Sequence, residues 1–321
     1  MKLLIVGPDF HPWSFETSLE ALSRRHHIES HRFAWQGATE GDLLGCVRQH
    51  RPDWMLGLNL GPVSPATLRQ VRQAGTRVAF WYVDCFSPDI EDAVLERVHA
   101  ADVFFTTAGG LVRHYRARTD TPVHWLVEGA WLPGFPQRLP PYAWEAYRSE
   151  VAFVGNLYHV THDVAAFRRR ERLLKQVQSR FGLRVWGPQG HPRARELWGD
   201  DYPVTEWPAW HAELVKICRS SDVVLGINHY NCIDRYFSNR TFLTLAAGGF
   251  HLTHYVPGLE SMFDNHRHLV WYRTEGECLD LIAHYVARPQ ERQRIAACGQ
   301  ALVRQKYSMA RQFSRLLRHL Q

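Results

Sequence analysis

The chain has few cysteines, and none of them falls into a recognisable pair. Cys46, Cys85, Cys218, Cys232, Cys278 and Cys298 are scattered along 321 residues without a C-x-x-C. Neither a disulfide framework nor a zinc site is indicated, and isolated thiols suit a reducing compartment. Nineteen histidines include no H-E-x-x-H or comparable ligand spacing, so no metal motif is read. No run approaches the ~20 apolar residues of a membrane span. The opening MKLLIVGPDF has too short an apolar run for a signal peptide. It reads as a first buried strand, and a cytoplasmic protein is expected. No strand is followed by G-x-G-x-x-G, which disfavours a simple dehydrogenase. Internal repeats and low-complexity tracts are absent as well.

What is present is an ordinary globular composition, 45% apolar and 22% charged. The length suits two domains of about 150 residues each. A formal charge of +6 fits an acidic partner. Nucleoside diphosphate, anionic lipid and nucleic acid all satisfy it, so charge alone does not choose.

Short β-branched or aromatic runs alternate with helical patterns. In the first half the strands are expected at 3–6, 28–33, 54–58, 77–83, 102–106 and 123–127. Helical stretches lie between them at 17–25, 65–74 and 88–100, the last with Ser87 as N-cap and Pro88 at the first helical position. The alternation breaks at 132–147, LPGFPQRLPPYAWEAY, which is the expected domain boundary. It resumes with strands at 151–154, 183–186, 223–227, 251–253 and 269–271 and a helix at 164–181. Three helices close the chain at 276–287, 289–298 and 300–319. The reading is α/β: two open parallel sheets, each with helices on both faces. The domains are expected at 1–140 and 150–300, with a C-terminal helix over 301–321.

The most informative segment is YFSNRTFLTLAAGGFHLTHYVPGLESMF, from Tyr236 to Phe263. Arg240 opens a small-residue helix that ends at Gly248 and Gly249. An apolar run, Phe250 to Thr253, and a Pro257–Gly258 turn into Glu260 follow. Helix N-termini carry unpaired amides and partial positive charge, so an arginine beside one suits an anion, most simply a diphosphate. Ser238 and Asn239 are placed to cap this helix.

The segment resembles the nucleotide-sugar half of group 1 glycosyltransferases, in particular the CgeB-like (spore-maturation protein) branch. Arg240, Phe242, Gly248, Gly249, Pro257, Gly258, Leu259, Glu260 and Phe263 fit that pattern. The resemblance covers most of the second half and is patchier in the first. It implies GT-B, two Rossmann-like domains facing a cleft, with a C-terminal helix packing back across them. It also implies a nucleoside-diphosphate-sugar donor, UDP or GDP, transfer with retention, and no metal or other cofactor.

On this basis Arg240, Ser238, Asn239 and Thr241 are assigned to the donor. So are the loop of Val256, Pro257, Gly258, Leu259 and Glu260, the Gly155–Asn156 turn after the strand VAFV, and Gly187 before Pro188. One position departs from the pattern: Leu243 stands where many relatives carry a glutamate for the ribose. In the first half Asp84 ends a buried strand, where a carboxylate suits an acceptor hydroxyl, as orienting group or base, and equally suits a helix cap. Asp9 and His11 follow the first strand as further catalytic candidates, and Glu128 is a candidate for the same face. His114 and His124 read as spacers or core histidines, and the Asn239-Arg240-Thr241 sequon as chance.

The last helix places Arg311, Arg315 and Arg318 against Phe313, Leu316, Leu317 and Leu320. This amphipathic pattern fits packing on a domain and leaves peripheral membrane contact open. A second basic cluster, Arg168 to Arg170 with Arg172, adds to the charge without a nucleic-acid-binding module. The expected function is glycosyl transfer to an acceptor that the sequence does not identify: a glycan, protein, lipid or small molecule. The alternatives are a non-catalytic nucleotide-sugar or glycan binder, and a glycosyltransferase acting on a modified nucleic-acid base.

Overall fold

The structure, a computed structural model, describes residues 1–10, 14–59, 63–85, 88–155, 164–187, 204–205 and 211–321. By its internal contacts the chain divides into two compact units, Met1–Glu128 with Met309–Gln321, and Gly129–Ser308.

The first unit contains β1 (Lys2–Gly7), α1 (Phe15–Arg25), β2 (Glu29–Ala34), α2 (Glu40–His50), β3 (Trp54–Leu58) and α3 (Pro65–Gln73). It continues with β4 (Arg77–Tyr82), α4 (Pro88–His99), β5 (Val103–Thr106), α5 (Val112–Arg116) and β6 (Val123–Trp125). All pairings are parallel, in the order β2-β1-β3-β4-β5-β6. Every residue of β3 is buried, as is β1 beyond Lys2, because helices cover both faces and the strands can be apolar throughout. The edge strand β2, ESHRFA, stays polar and partly exposed. Short polar residues start the helices. Ser14 Oγ accepts from the Thr17 amide, and Thr39 and Asp42 form a reciprocal capping box. The helix α4 begins at Pro88 as expected, while Ser87 lies outside the described residues.

The second unit contains β7 (Ser149–Val154), α6 (Val164–Gln178), β8 (Leu183–Trp186), β9 (Val204–Thr205), α7 (His211–Ser220), β10 (Ser221–Gly226) and α8 (Arg240–Ala247). Then come β11 (His251–His254), β12 (Val270–Tyr272), α9 (Glu275–Val286) and α10 (Pro289–Lys306). Its parallel sheet runs β12-β11-β10-β7-β8-β9. Counting strands within the unit, this is the doubly wound order in which the connections reverse direction between β7 and β10.

The proline-rich 132–147 belongs to the second unit, and the division falls earlier, after Glu128. Prolines lack a donor but keep their carbonyls, and arginines satisfy these acceptors. Arg219 donates to the Pro136 and Gln137 carbonyls, and Arg304 to that of Phe135.

The chain's last helix, α11 (Met309–Leu320), groups with the first unit. Its apolar face, with Phe313 and Leu316 fully buried, is used in that packing. Trp54 Nε1 donates to the Leu320 carbonyl at 2.8 Å, and the His319 ring lies tilted against that of His124 with ring centres 3.8 Å apart. Among the described residues no helix is long and apolar enough to cross a membrane.

One expected break is absent. The helix expected to stop near 298 runs unbroken as α10, and the turn falls at Tyr307 and Ser308. Gly299 looks like a helix terminator in sequence, yet it lies inside α10 where that helix presses on its neighbours. A Cβ there would strike the His268 carbonyl and approach Leu245 Cδ2 at 2.7 Å. Gly→Ala normally stabilises a helix interior by about 1 kcal/mol. At this position the sign is expected to reverse: Gly299→Ala destabilises by roughly 1–3 kcal/mol through overpacking, read by urea denaturation.

Candidate functional site

In the second unit the assigned donor residues gather at the carboxyl edge of the sheet, where the strand order reverses. Such crevices are where open α/β sheets bind ligands. Gly155 follows β7, and its amide donates to the Trp186 carbonyl at 2.9 Å. A Cβ on Gly187 would collide with the Gly155 carbonyl oxygen. The two glycine turns are thus in backbone contact, and Gly187 has no room for a side chain. Asn156 and Pro188 lie outside the described residues.

The start of α8 differs in detail from its expected form. Asn239 occupies the N-cap position with helical dihedrals and makes no side-chain cap. Ser238 does the capping: its Oγ accepts from the Arg240 amide at 3.2 Å. The Arg240 guanidinium is crowded by protein, which pulls its pKa down to about 10, with Cys218 as a charge neighbour acting the other way. Thr241 is 1% exposed, and its hydroxyl meets His251 Nε2 at 3.2 Å. It faces inward and supports the turn. Phe242 and Phe263, the two phenylalanines of the motif, pack with Phe237 and Tyr307 as one aromatic group.

The loop after β11 turns at Gly258, whose φ of 81° favours glycine. A Cβ would collide there with Asp234 Oδ1 and come within 2.6 Å of Arg235 Cγ. The Pro257 carbonyl accepts from the Arg235 amide at 2.7 Å. Val256 and Leu259 are buried, so their side chains belong to the core, whereas Glu260 is exposed. Leu243 is half-buried.

Sequence reasoning missed Asn228 and His251. Asn228 Oδ1 accepts from the Ser238 amide at 3.0 Å, and its Nδ2 donates to the His254 carbonyl at 3.2 Å. His251 is buried in β11, with Nδ1 at 3.2 Å from the Val224 carbonyl. A carbonyl only accepts, so Nδ1 carries the proton and Nε2 is left to accept from Thr241. Burial lowers the ring to about 4, so it is neutral at pH 7. A histidine inside the apolar run FHLT was the available signal.

In the first unit Asp84 lies beyond β4, held by Asn59, whose Nδ2 donates to Asp84 Oδ2 at 2.6 Å. Asn59 ends β3 with a φ of 52°, and its Oδ1 accepts from the Val83 amide. Burial raises Asp84, and the Asn59 hydrogen bond opposes the rise. Glu128 feels Asp84 directly. It is half-buried by surface area, but its carboxyl is crowded enough to be pushed up to about 8, by burial first and by the Asp84 charge second. Asp84 and Glu128 are thus coupled through charge. The Asp9 charge acts on Glu16, which burial raises first and Asp9 last, and His11 lies outside the described residues. Among the described residues no group of three His, Cys, Asp or Glu is arranged to hold a metal ion.

Comparison with known proteins bears on this edge. Residues 168–318 match the family described as glycosyl transferase-like. Solved structures match along the whole chain. Anabaena HepE, in complex with UDP and glucose, is 13% identical with a TM-score of 0.69, over 100% of this chain and 99% of that one. Sucrose-phosphate synthase from Thermosynechococcus elongatus is 14% identical with a TM-score of 0.72, over 99% and 98%. A glycosyltransferase from Rickettsia africae is 11% identical with a TM-score of 0.66, over 99% and 97%. At these identities the likeness is one of fold, and the fold is GT-B. No curated protein matches the chain by sequence. Family match and fold together support a glycosyltransferase.

Two buried groups set opposite pH slopes. Unfolded His251 takes up a proton below about 6.5, which the folded ring refuses until about 4. Its contribution to stability is complete above pH 6.5 and is lost as the pH falls. His251→Asn is expected to remove about 2 kcal/mol of the stability change between pH 7 and pH 5, measured by denaturant titration. Glu128 works the other way. The unfolded carboxyl ionises near 4.5 and the folded one near 8, so stability is lost as the pH rises through that window. Glu128→Gln is expected to stabilise more at pH 8 than at pH 5, on the order of 1–3 kcal/mol with allowance for partial solvent exposure.

Proposed function

We propose that the protein is a CgeB-like glycosyltransferase that moves a sugar from a nucleoside-diphosphate sugar to an acceptor hydroxyl. One observation carries the reading. Arg240 and the start of α8 sit at the same sheet edge as the glycine turns at 155, 187 and 258, inside or beside the family-matched segment. Backbone amides at a helix start and a guanidinium already stripped of water suit a diphosphate, because both interact strongly with negative charge in a crowded site.

In this reading the second unit binds the donor. Arg240 and the first-turn amides of α8 take up the charge that develops on the leaving diphosphate, the work a metal ion does in other transferases. Gly155 and Gly187 allow close approach to the nucleotide, and the Gly258 turn faces the sugar. In the first unit Asp84, fixed by Asn59, orients the acceptor hydroxyl, and protonated Glu128 donates a hydrogen bond beside it. Retention at the anomeric carbon is adopted from the family resemblance. Uridine donors come first because HepE is seen with UDP and with UDP-glucose.

A second reading, a nucleotide-sugar binder without transfer, is favoured by Leu243 alone, an apolar side chain where relatives hold a carboxylate. The two part on turnover, since a binder releases no nucleoside diphosphate whatever acceptor is supplied.

The test is melting temperature against UDP, UDP-glucose and GDP in the presence of a chelator, since ligand binding raises it by mass action. A shift with a uridine nucleotide is expected. Arg240→Ala should weaken that binding at least about tenfold, as expected for losing a charge-assisted contact. An Arg240→Ala protein with undiminished binding and turnover would remove the core of the proposal.

A further inference from the structure

An anion site made of backbone amides works only if those amides are held in place relative to the rest of the site. Misplacement of about 1 Å at such a site is costly. At the first turn of α8 the side-chain cap comes from Ser238, which moves with the turn itself. Something else must fix the turn to the sheet. Two buried side chains reach across that gap.

The first is His251. Its ring spans from the Val224 carbonyl on β10 to the Thr241 hydroxyl on α8, at 3.2 Å on each side. The second is Asn228, 5% exposed, just past β10. It joins the His254 carbonyl at the end of β11 to the Ser238 amide just before α8. Each side chain has one bond on the sheet and one on residues 238–241. Gly226 makes room for the first of them: a Cβ there would lie 2.7 Å from the His251 ring and from Thr253 Oγ1. The sheet at this point has given up a side chain to make room for a polar ring.

If these residues served only to fill the core, apolar side chains of similar size would do as well without polar atoms to satisfy. Two polar residues with both ends bonded, converging on one turn, suit a different task. We propose that His251 and Asn228 are positioning residues that clamp the first turn of α8 to β10 and β11 so that its amides are held for a donor diphosphate. The inference rests on the donor reading above. Neither residue touches the ligand; they act through Thr241 and Ser238.

The clamp is tested by amide hydrogen exchange over residues 238–242 in the ligand-free protein, alongside UDP affinity by calorimetry. Thr241→Val keeps the shape and loses the hydroxyl. His251→Asn keeps a donor for the Val224 carbonyl and is too short to reach Thr241. Each is expected to speed exchange in 238–242 about tenfold, the scale of one buried hydrogen bond, and to weaken UDP binding several-fold. The amides of β11 should keep their protection. Combining the two changes should do no more than either alone, because both cut the same tie. Thr241→Ser, which restores the hydroxyl, should recover both protection and affinity.

Unchanged exchange in 238–242 overturns the clamp while wild-type binding of UDP stands. Faster exchange with undiminished UDP affinity overturns the positioning role. A wild-type protein that binds neither UDP nor GDP overturns the donor reading instead. Should His251→Asn fail to fold, Thr241→Val with its serine rescue carries the same test.

Discussion

The donor-side edge depends on how closely α8 can sit against the elements around it. Three glycines set that distance. A Cβ on Gly226 would press on His251 and Thr253, one on Gly249 would lie 2.9 Å from the Cys218 Cβ, and one on Gly299 would meet Leu245 of α8. Interiors are close-packed, so such contacts leave no slack to absorb an added atom. Cys218 takes part as a small apolar group, its thiol pushed up to about 12 by burial and therefore unreactive near neutrality. With α8 seated in this way, its first turn emerges at the carboxyl edge between the loops of β10 and β11. The glycine turns after β7, β8 and β11 lie along the same edge.

Burial then acts on charge in opposite senses in the two units. In the first it pushes Glu128 up to about 8 and raises Asp84, and the Asp84 charge adds to the rise of Glu128. In the second it weakens the proton hold of Arg240 and keeps His251 neutral. The common cause is that low-dielectric surroundings disfavour whichever form is charged. The consequences differ. A neutral carboxyl can donate to a hydroxyl, while a desolvated guanidinium gains more from an arriving anion than a hydrated one would.

Most strands were legible to within a residue or two, because a strand covered on both faces is a short unbroken apolar run and little else in the sequence looks like one. The same logic found β7, β8 and β11 and the glycine turns that follow. It misjudged Gly299, since a glycine that ends a helix and one that lets a helix approach a carbonyl are the same letter. It placed Thr241, Val256 and Leu259 in the donor segment, and there their side chains are buried. Motif position marks a segment as close to the ligand without saying which of its side chains turn inward.

What the sequence determined by itself was therefore local and repetitive: parallel strands, helix caps, the positions where backbone needs room, and a charged residue at a helix start. These follow from periodicity and from the conformational limits of single residues. The tertiary structure alone decided that the charge of Asp84 acts on Glu128. It decided that α11 belongs to the first unit, and that His251 and Asn228 reach across to the residues on either side of Arg240. Each of these joins residues far apart in the chain or lying on different elements. Their distance is set by packing, which no short stretch of sequence encodes.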